Sequence, residues 1–194
     1  MRRVIVVTGI PGTGKTTICN ELRKLAERSK KRVVVLNYGT IMVELSKEHR
    51  NAIHRNDIRK AELPFQRNLQ LETAERISKI MADRIGDSFV IDTHMVVKTV
   101  DGYWAGLPVE VLKRLNPDLF VLVEAEPDEV LARRFRNPAR KRDKALRDEV
   151  TEELALSRHM AAACSVLTGA AVKTVKNPGG KQVEAAEEIL KLLG

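Results

Sequence analysis

The sequence predicts an α/β fold in which helices cover both faces of a five-stranded, mostly parallel sheet. Two observations predict it: short runs of apolar residues punctuate the chain, and amphipathic helical patterns lie between them. Most of the runs are continuous rather than alternating, as strands that are buried on both faces require. The runs that mark the five strands are 4–7, 33–36, 89–91, 119–123 and 171–175.

The helices are predicted from apolar stripes and from residues that favour helix starts. After the first strand, Ile18, Leu22, Leu25 and Ala26 fall at helical spacing and form one apolar face. A longer helix is expected to start at Pro64, because proline is well accommodated in the first turn. Further helices are expected at about 128–136, 148–167 and 182–193.

This plan predicts one domain that spans residues 1–194, since no linker, repeat or low-complexity tract divides the chain. Two inserts depart from a minimal alternation of strands and helices, and we expect them to bind an acceptor and to act as a short lid. The core is assigned to 1–39, 61–130 and 148–194, the acceptor-binding insert to about 40–60 and the lid to about 133–147.

Composition is that of a globular protein, with 43% apolar and 31% charged residues. The longest uninterrupted apolar runs are four or five residues, whereas a membrane span needs about 20, so we expect neither a span nor a signal peptide. The two cysteines, Cys19 and Cys164, are interpreted as buried thiols in a reducing compartment. The predicted location is therefore the cytoplasm.

A Gly-rich phosphate-binding motif follows the first strand and leads directly into a helix. Its glycines let successive backbone N–H groups point into one concavity at the helix N-terminus. Lys15 is expected to reach the β- and γ-phosphates of a nucleoside triphosphate, and the Thr16 hydroxyl is expected to bind Mg²⁺. The residues predicted to hold the triphosphate are Gly9, Ile10, Pro11, Gly12, Thr13, Gly14, Lys15, Thr16 and Thr17. This P-loop predicts a nucleoside triphosphate as a ligand and the P-loop NTPase type of α/β fold.

An acid near the metal is expected at the end of a neighbouring apolar strand, and two residues qualify. Asp92 ends one strand and is followed by the polar Thr93 and His94, while Glu124 ends another and leads into a turn and a helix cap. We favour Asp92 as the metal-side acid and interpret Glu124 as structural.

The net charge of +8 is concentrated in residues 133–147, which contain eight Lys or Arg and one acid. Mobile arginines would stabilise the charge on a transferring phosphoryl group, which favours a kinase lid. Contact with RNA phosphates by an ATP-dependent RNA- or ribosome-associated factor is the alternative. A guanine switch is disfavoured, because the only Lys-x-Asp is preceded by Arg140.

Several short motifs occur in an order that resembles the archaeal-type adenylate kinases. Besides the P-loop they are Asn37-Tyr38-Gly39, Arg59-Lys60, Ile91-Asp92-Thr93-His94, Gly106-Leu107-Pro108 and Asn177-Pro178-Gly179-Gly180. The resemblance covers essentially the whole chain and implies the reaction of ATP with AMP to give two ADP. It also implies Mg²⁺ and a homo-oligomer, a trimer. A nucleic-acid partner is disfavoured. Another P-loop kinase, acting on a different monophosphate or a small metabolite, remains an alternative.

The resemblance also implies roles for individual residues. Arg59 resembles the arginine that grips the AMP phosphate, and Tyr38, Gly39 and Thr40 match a turn that frames the AMP site. His94 stands where bacterial adenylate kinases carry a longer string with a phosphate-binding arginine, and either substrate binding or packing fits it. The cations implied in catalysis are Arg136, Arg140, Arg142 and Arg158, with Lys15, and the groups implied near adenine are Asn177, Pro178 and Gly179.

Overall fold

The computed structural model describes residues 2–48, 61–99, 102–136 and 146–194. Its main sheet has five parallel strands in the order β2-β3-β1-β6-β7, which confirms the predicted sheet. These strands are β1 (Val4–Thr8), β2 (Val33–Asn37), β3 (Ser88–Asp92), β6 (Leu119–Glu124) and β7 (Ala171–Lys176). A separate antiparallel hairpin consists of β4 (Val96–Thr99) and β5 (Gly102–Ala105).

Helices cover both faces of the sheet because successive strand residues point to opposite sides. Val4 and Val6 of β1 belong to one apolar cluster, whereas Ile5 and Val7 belong to the other. The first cluster is closed by α3, α4 and α6, and the second by α1 and α7. The helices are α1 (Lys15–Arg28), α2 (Tyr38–Glu48), α3 (Leu63–Asp83), α4 (Val109–Leu115), α5 (Pro127–Phe135), α6 (Arg147–Thr168) and α7 (Gln182–Lys191).

Three elements were not predicted from the sequence: α2, the β4–β5 hairpin and α4. The expected turn at Tyr38, Gly39 and Thr40 is wrong, since α2 begins at Tyr38 without a loop after β2. Asn37 allows this by capping the helix, because its Oδ1 accepts hydrogen bonds from the Thr40 backbone N at 2.9 Å and from the Thr40 hydroxyl at 3.0 Å.

The two inserts are only partly within the described residues. Residues 40–48 of the acceptor-binding insert belong to α2, and 49–60 lie outside the description. At the lid, Arg133 and Arg134 belong to α5 and Arg147 begins α6, while 137–145 lie outside it. None of the helices in the described ranges is long and apolar enough to cross a membrane.

Candidate nucleotide-binding site

The P-loop connects β1 to α1, and its glycines are required by close contacts. Gly9 has φ 148°, and a Cβ atom there would lie 2.3 Å from the carbonyl oxygen of Val123 in β6. Gly14 has φ 92°, and its Cβ would lie 2.4 Å from Nδ2 of Asn177. Both positions therefore need a residue without a side chain. The loop ends at the N-terminus of α1, and the first N–H groups of a helix attract anions because they lie at the positive end of its dipole.

Lys15 lies inside the loop rather than on the surface, with 6% exposure. Its ammonium donates to the carbonyl oxygen of Gly9 at 2.6 Å and lies 3.4 Å from that of Ile10. These two carbonyls hold the Lys15 ammonium within the loop, where it could contact the phosphates of a bound triphosphate. Thr16 and Thr17 expose their side chains on the first turn of α1, next to this mouth.

Asp92 is the last residue of β3 and is level with Val7 of the neighbouring strand β1. It is 5% exposed, and its Oδ2 accepts a hydrogen bond of 2.6 Å from Nδ2 of Asn37. A carboxylate beside the P-loop and the exposed Thr16 hydroxyl are oxygen ligands of the kind that Mg²⁺ prefers. No cluster of three or more His, Cys, Asp or Glu suited to a metal occurs in the described part of the chain. Mg²⁺ does not need one, because phosphates and waters complete its shell, so these residues fit the ion.

Glu124 at the end of β6 holds two cations at the same edge of the sheet. Its carboxylate accepts from Arg158 Nε at 2.6 Å and Nη2 at 2.8 Å, and from Lys176 Nζ at 2.9 Å. Burial raises the pKa of Glu124, but the hydrogen bonds from Arg158 and Lys176 outweigh it, so the net pKa is lowered. Glu124 is thus an ionised partner of cations, in agreement with the structural role expected for it.

The back of the P-loop contacts two arginines that were predicted to belong to the lid. Arg134 Nε donates to the carbonyl oxygen of Pro11 at 2.8 Å, and Arg133 donates to those of Thr13 at 3.2 Å and Asn177 at 2.9 Å. Asn177 Nδ2 also donates to Thr13 O, at 2.7 Å. One sequence signal could have identified the arginines: they lie three and four residues after Val130, so they share the face of α5 that is buried.

The start of α2 is connected to Asp92 through hydrogen bonds. Asn37 donates a hydrogen bond from its Nδ2 to Asp92 and accepts one at its Oδ1 from the backbone N of Thr40 in α2. Tyr38 is buried, and its hydroxyl donates to the carbonyl oxygen of Gln70 in α3. Gln70 Nε2 in turn donates to Ala105 O of β5 at 3.3 Å. The start of α2, α3 and the hairpin thus form a hydrogen-bonded wall beside Asp92.

Comparison with known proteins gives the family. The model of the AAA domain matches residues 8–151. An adenylate kinase of Methanopyrus kandleri is 40% identical over 192 residues, covering 98% of this chain and 97% of its own. An adenylate kinase of Methanocaldococcus jannaschii is 36% identical over 191 residues, covering 98% of both chains. The chain belongs to the archaeal adenylate kinase family.

Solved structures support the fold of this adenylate kinase family member. A shikimate kinase from Acinetobacter baumannii, in complex with shikimate, has a TM-score of 0.62 at 16% identity and covers 99% of this chain and 93% of its own. The protein TT1252 from Thermus thermophilus has a TM-score of 0.58 at 15% identity, with 100% and 98% coverage. At this identity the likeness concerns the fold alone, and it agrees with the predicted P-loop type.

In this family member the structure brings part of the predicted site together. The P-loop, Asp92 and the start of α2 adjoin at the carboxyl edge of the sheet. Asn177 and Gly179 lie behind the loop, where Gly179 N donates to Glu129 at 2.7 Å. Arg136 is exposed at the end of α5, and His94 is half-buried just after β3. Three predicted residues, Arg59, Arg140 and Arg142, lie outside the described residues.

Proposed function

We propose that this protein catalyses the reversible, Mg²⁺-dependent transfer of a phosphoryl group from ATP to AMP, giving two ADP. The observation that carries the proposal is the bridge made by Asn37. This residue joins Asp92, on the donor side, to the first turn of α2, on the acceptor side, through bonds of 2.6 and 2.9 Å. A donor site and an acceptor wall at one sheet edge suit a reaction between two nucleotides, as the adenylate kinase relatives suggest.

The reaction needs positioning and positive charge more than proton transfer. The attacking atom of AMP is a phosphate oxygen that is already ionised, so no general base is required. The backbone N–H groups of the P-loop and the Lys15 ammonium would bind the β- and γ-phosphates of ATP. Thr16 and Asp92 would hold Mg²⁺, which when bound neutralises charge on the phosphate oxygens.

Further cations would act on the transferring group and on AMP. Arg158 lies at the sheet edge with its side chain 52% exposed and its guanidinium fixed by Glu124, so it is available to a phosphate. We assign Arg136, Arg140 and Arg142 to the transferring phosphoryl group as well, and Arg59 to the AMP phosphate, because a guanidinium fork matches phosphate oxygens. Tyr38, Gly39, Thr40 and His94 are assigned to the acceptor side. Asn177, Pro178 and Gly179 are assigned to adenine of ATP.

The test is a panel of nucleoside monophosphates, each incubated with ATP and Mg²⁺ and scored for diphosphate formation. AMP should be the preferred acceptor. Lys15→Ala should lower ADP formation by at least about a hundredfold, since a charge that stabilises the transition state is lost. Lys24→Ala, an exposed lysine of the same helix, is the matched control and should keep wild-type activity. Preference for another monophosphate or a small metabolite would refute the AMP assignment but leave the kinase class intact.

The RNA-factor alternative rests on the basic stretch 133–147. Two of its arginines, Arg133 and Arg134, hydrogen-bond backbone carbonyls of the P-loop, which favours a role at the nucleotide over a solvated phosphate-binding face. Salt-dependent RNA binding that weakens when Arg140 and Arg142 are replaced would revive the alternative.

We also propose a homo-oligomer, a trimer by family resemblance, located in the cytoplasm. The two cysteines, Cys19 and Cys164, are both free and buried, which suits a reducing compartment. Light scattering on the purified protein tests the assembly, and a monomer across the micromolar range would contradict it.

A further inference from the structure

Arg134 of α5 and Glu153 of α6 form an ion pair in the protein interior, at the back of the P-loop. Arg134 Nη2 lies 2.5 Å from Glu153 Oε2, and the two side chains are 9% and 8% exposed. A second contact of 3.5 Å joins Nη1 to Oε1. Buried charges of this kind are costly unless they are paired, so the pair holds both side chains in one arrangement.

The same guanidinium also holds a carbonyl of the P-loop. Arg134 Nε donates to Pro11 O at 2.8 Å, while the other end of the fork faces Glu153. A peptide group is planar and trans, so its C=O and the following N–H point in opposite directions. With the Pro11 carbonyl directed at Arg134, the Gly12 N–H is directed away from it, to the opposite side of that peptide.

Helix α5 lies against the loop with no space between them. A Cβ on Gly12 would lie 3.0 Å from Cγ1 of Val130, 3.1 Å from the Val130 carbonyl oxygen and 3.2 Å from Cγ of Arg134. Val130 itself packs in a small apolar cluster with Ile10 of the loop and with Val150 and Leu154 of α6. The loop, α5 and α6 therefore form one packed unit.

We propose that the Arg134–Glu153 pair is a positioning device for the donor triphosphate. It fixes the Pro11–Gly12 peptide so that the Gly12 N–H faces the phosphates, and it ties the P-loop to α5 and α6. Arg134 is a positioning residue, not one that touches the reacting atoms, and Glu153 acts through it. The inference rests on the proposed function, because it assigns a role in binding ATP.

The main test is Arg134→Lys, which keeps the positive charge beside Glu153 but removes the Nε donor and the planar fork. We expect the KM for ATP, and the ATP dissociation constant measured by calorimetry, to rise about tenfold, the scale of one hydrogen bond made by a charged group. The KM for AMP should stay within about twofold, because the acceptor wall is built from other elements.

Two further variants separate positioning from stability. The double variant Arg134→Met, Glu153→Leu removes both buried charges, a change that often leaves stability unchanged. The ATP affinity of this double variant should still fall about tenfold. Asp128→Asn breaks the exposed pair between Asp128 and Arg147, at 3.2 Å, which joins the same two helices on the surface. That matched control should leave both KM values and the melting temperature unchanged.

Unchanged ATP affinity in both Arg134 variants would overturn the proposal. So would an equal rise of the KM values for ATP and AMP together with a lower melting temperature, because that pattern indicates a purely structural pair. Failure of the proposed function is distinguishable: wild-type protein would then make no ADP from AMP, while calorimetry with ATP would still report whether Arg134 orders the P-loop.

Discussion

Replacing Glu124 by Gln should destabilise the protein through a single buried carboxylate. Glu124 is 2% exposed, and Arg158 and Lys176 both hydrogen-bond it. Gln keeps the size of the side chain but removes the charge. Its amide group also presents N–H donors where two cations now meet carboxylate oxygens. Because Gln preserves the size of the side chain, the change tests the hydrogen bonding and charge of Glu124 rather than its packing.

The magnitude follows from the burial of the three partners. A hydrogen bond between charged groups contributes about 1.5–3 kcal/mol when it is well shielded. Arg158 and Lys176 are 52% and 59% exposed, so solvent screens both contacts and reduces each to roughly 1 kcal/mol. The loss should therefore total about 2 kcal/mol. For a chain of this size that corresponds to a melting temperature lower by about 4–8 °C.

The pH dependence has a defined sign. The folded pKa of Glu124 lies below its usual value of 4.5, so the carboxylate contributes stability above that value and loses it as the pH falls through the folded pKa. Gln does not titrate. The difference in unfolding free energy between wild type and Glu124→Gln should thus be constant between about pH 6 and 8 and should shrink below about pH 4.5.

Urea unfolding at a series of pH values measures this difference directly. Glu110→Gln, which breaks an exposed contact with Lys113, is the matched control and should change stability by less than about 0.5 kcal/mol. A Glu124→Gln effect no larger than that of the control would refute the reasoning. An effect that persists undiminished at low pH would also refute it, since packing and not charge would then be responsible.

Two further predictions concern the loop and the thiols. Gly9→Ala should abolish ATP binding in calorimetry, because its Cβ would lie 2.3 Å from a backbone oxygen. Gly169→Ala, at φ 75° with open space around it, should cost only about 1–2 kcal/mol of strain and keep ATP binding. Equal behaviour of the two variants would contradict the steric argument. Burial, with a smaller contribution from Asp92, raises the pKa of Cys19 to about 12. Native protein at pH 8 should therefore react with a thiol reagent at least about a hundredfold more slowly than urea-unfolded protein. Rapid labelling of Cys19 in the native protein would show that solvent reaches this thiol.

Much of the fold was predictable because apolar runs report burial. Four strands were found as continuous apolar runs, whereas the run 171–175 is interrupted by Lys173 and Thr174 and forms β7, a mostly exposed strand at the edge of the sheet. Helices α1 and α7 were found as single apolar stripes, since each packs one face on the sheet. The start of α2 was missed because it depends on a side chain: Asn37 caps the helix while also bonding Asp92, and periodicity carries no trace of either contact. The β4–β5 hairpin was missed because four-residue strands are too short for a clear pattern.

Candidate site residues could be proposed from the sequence where one chain segment contains them and not where several segments meet. The P-loop is a local motif, and Asp92 ends an apolar strand, so both could be identified from the sequence. The contacts of Arg133 and Arg134 could not be found from composition, which counts them with the neighbouring basic residues; only their spacing from Val130 places them on the buried face of α5. Charge concentration reported how many cations lie near one another along the chain, but not which of them turn inward.

There is a physical reason why Arg133 and Arg134 of the basic stretch contact the P-loop. Where a phosphate-binding loop directs an N–H group to the ligand, the carbonyl of the same peptide group turns to the other side and needs a donor there. Arg134 donates a hydrogen bond to the Pro11 carbonyl, and Arg133 and Asn177 both donate to the Thr13 carbonyl. The N–H groups of Gly12 and Gly14, which belong to the same two peptide groups, therefore point in the opposite direction. Cations behind the loop thus prepare the anion site in front of it before any phosphate binds. A basic cluster beside a P-loop therefore need not consist of lid residues alone, since part of its charge builds the loop.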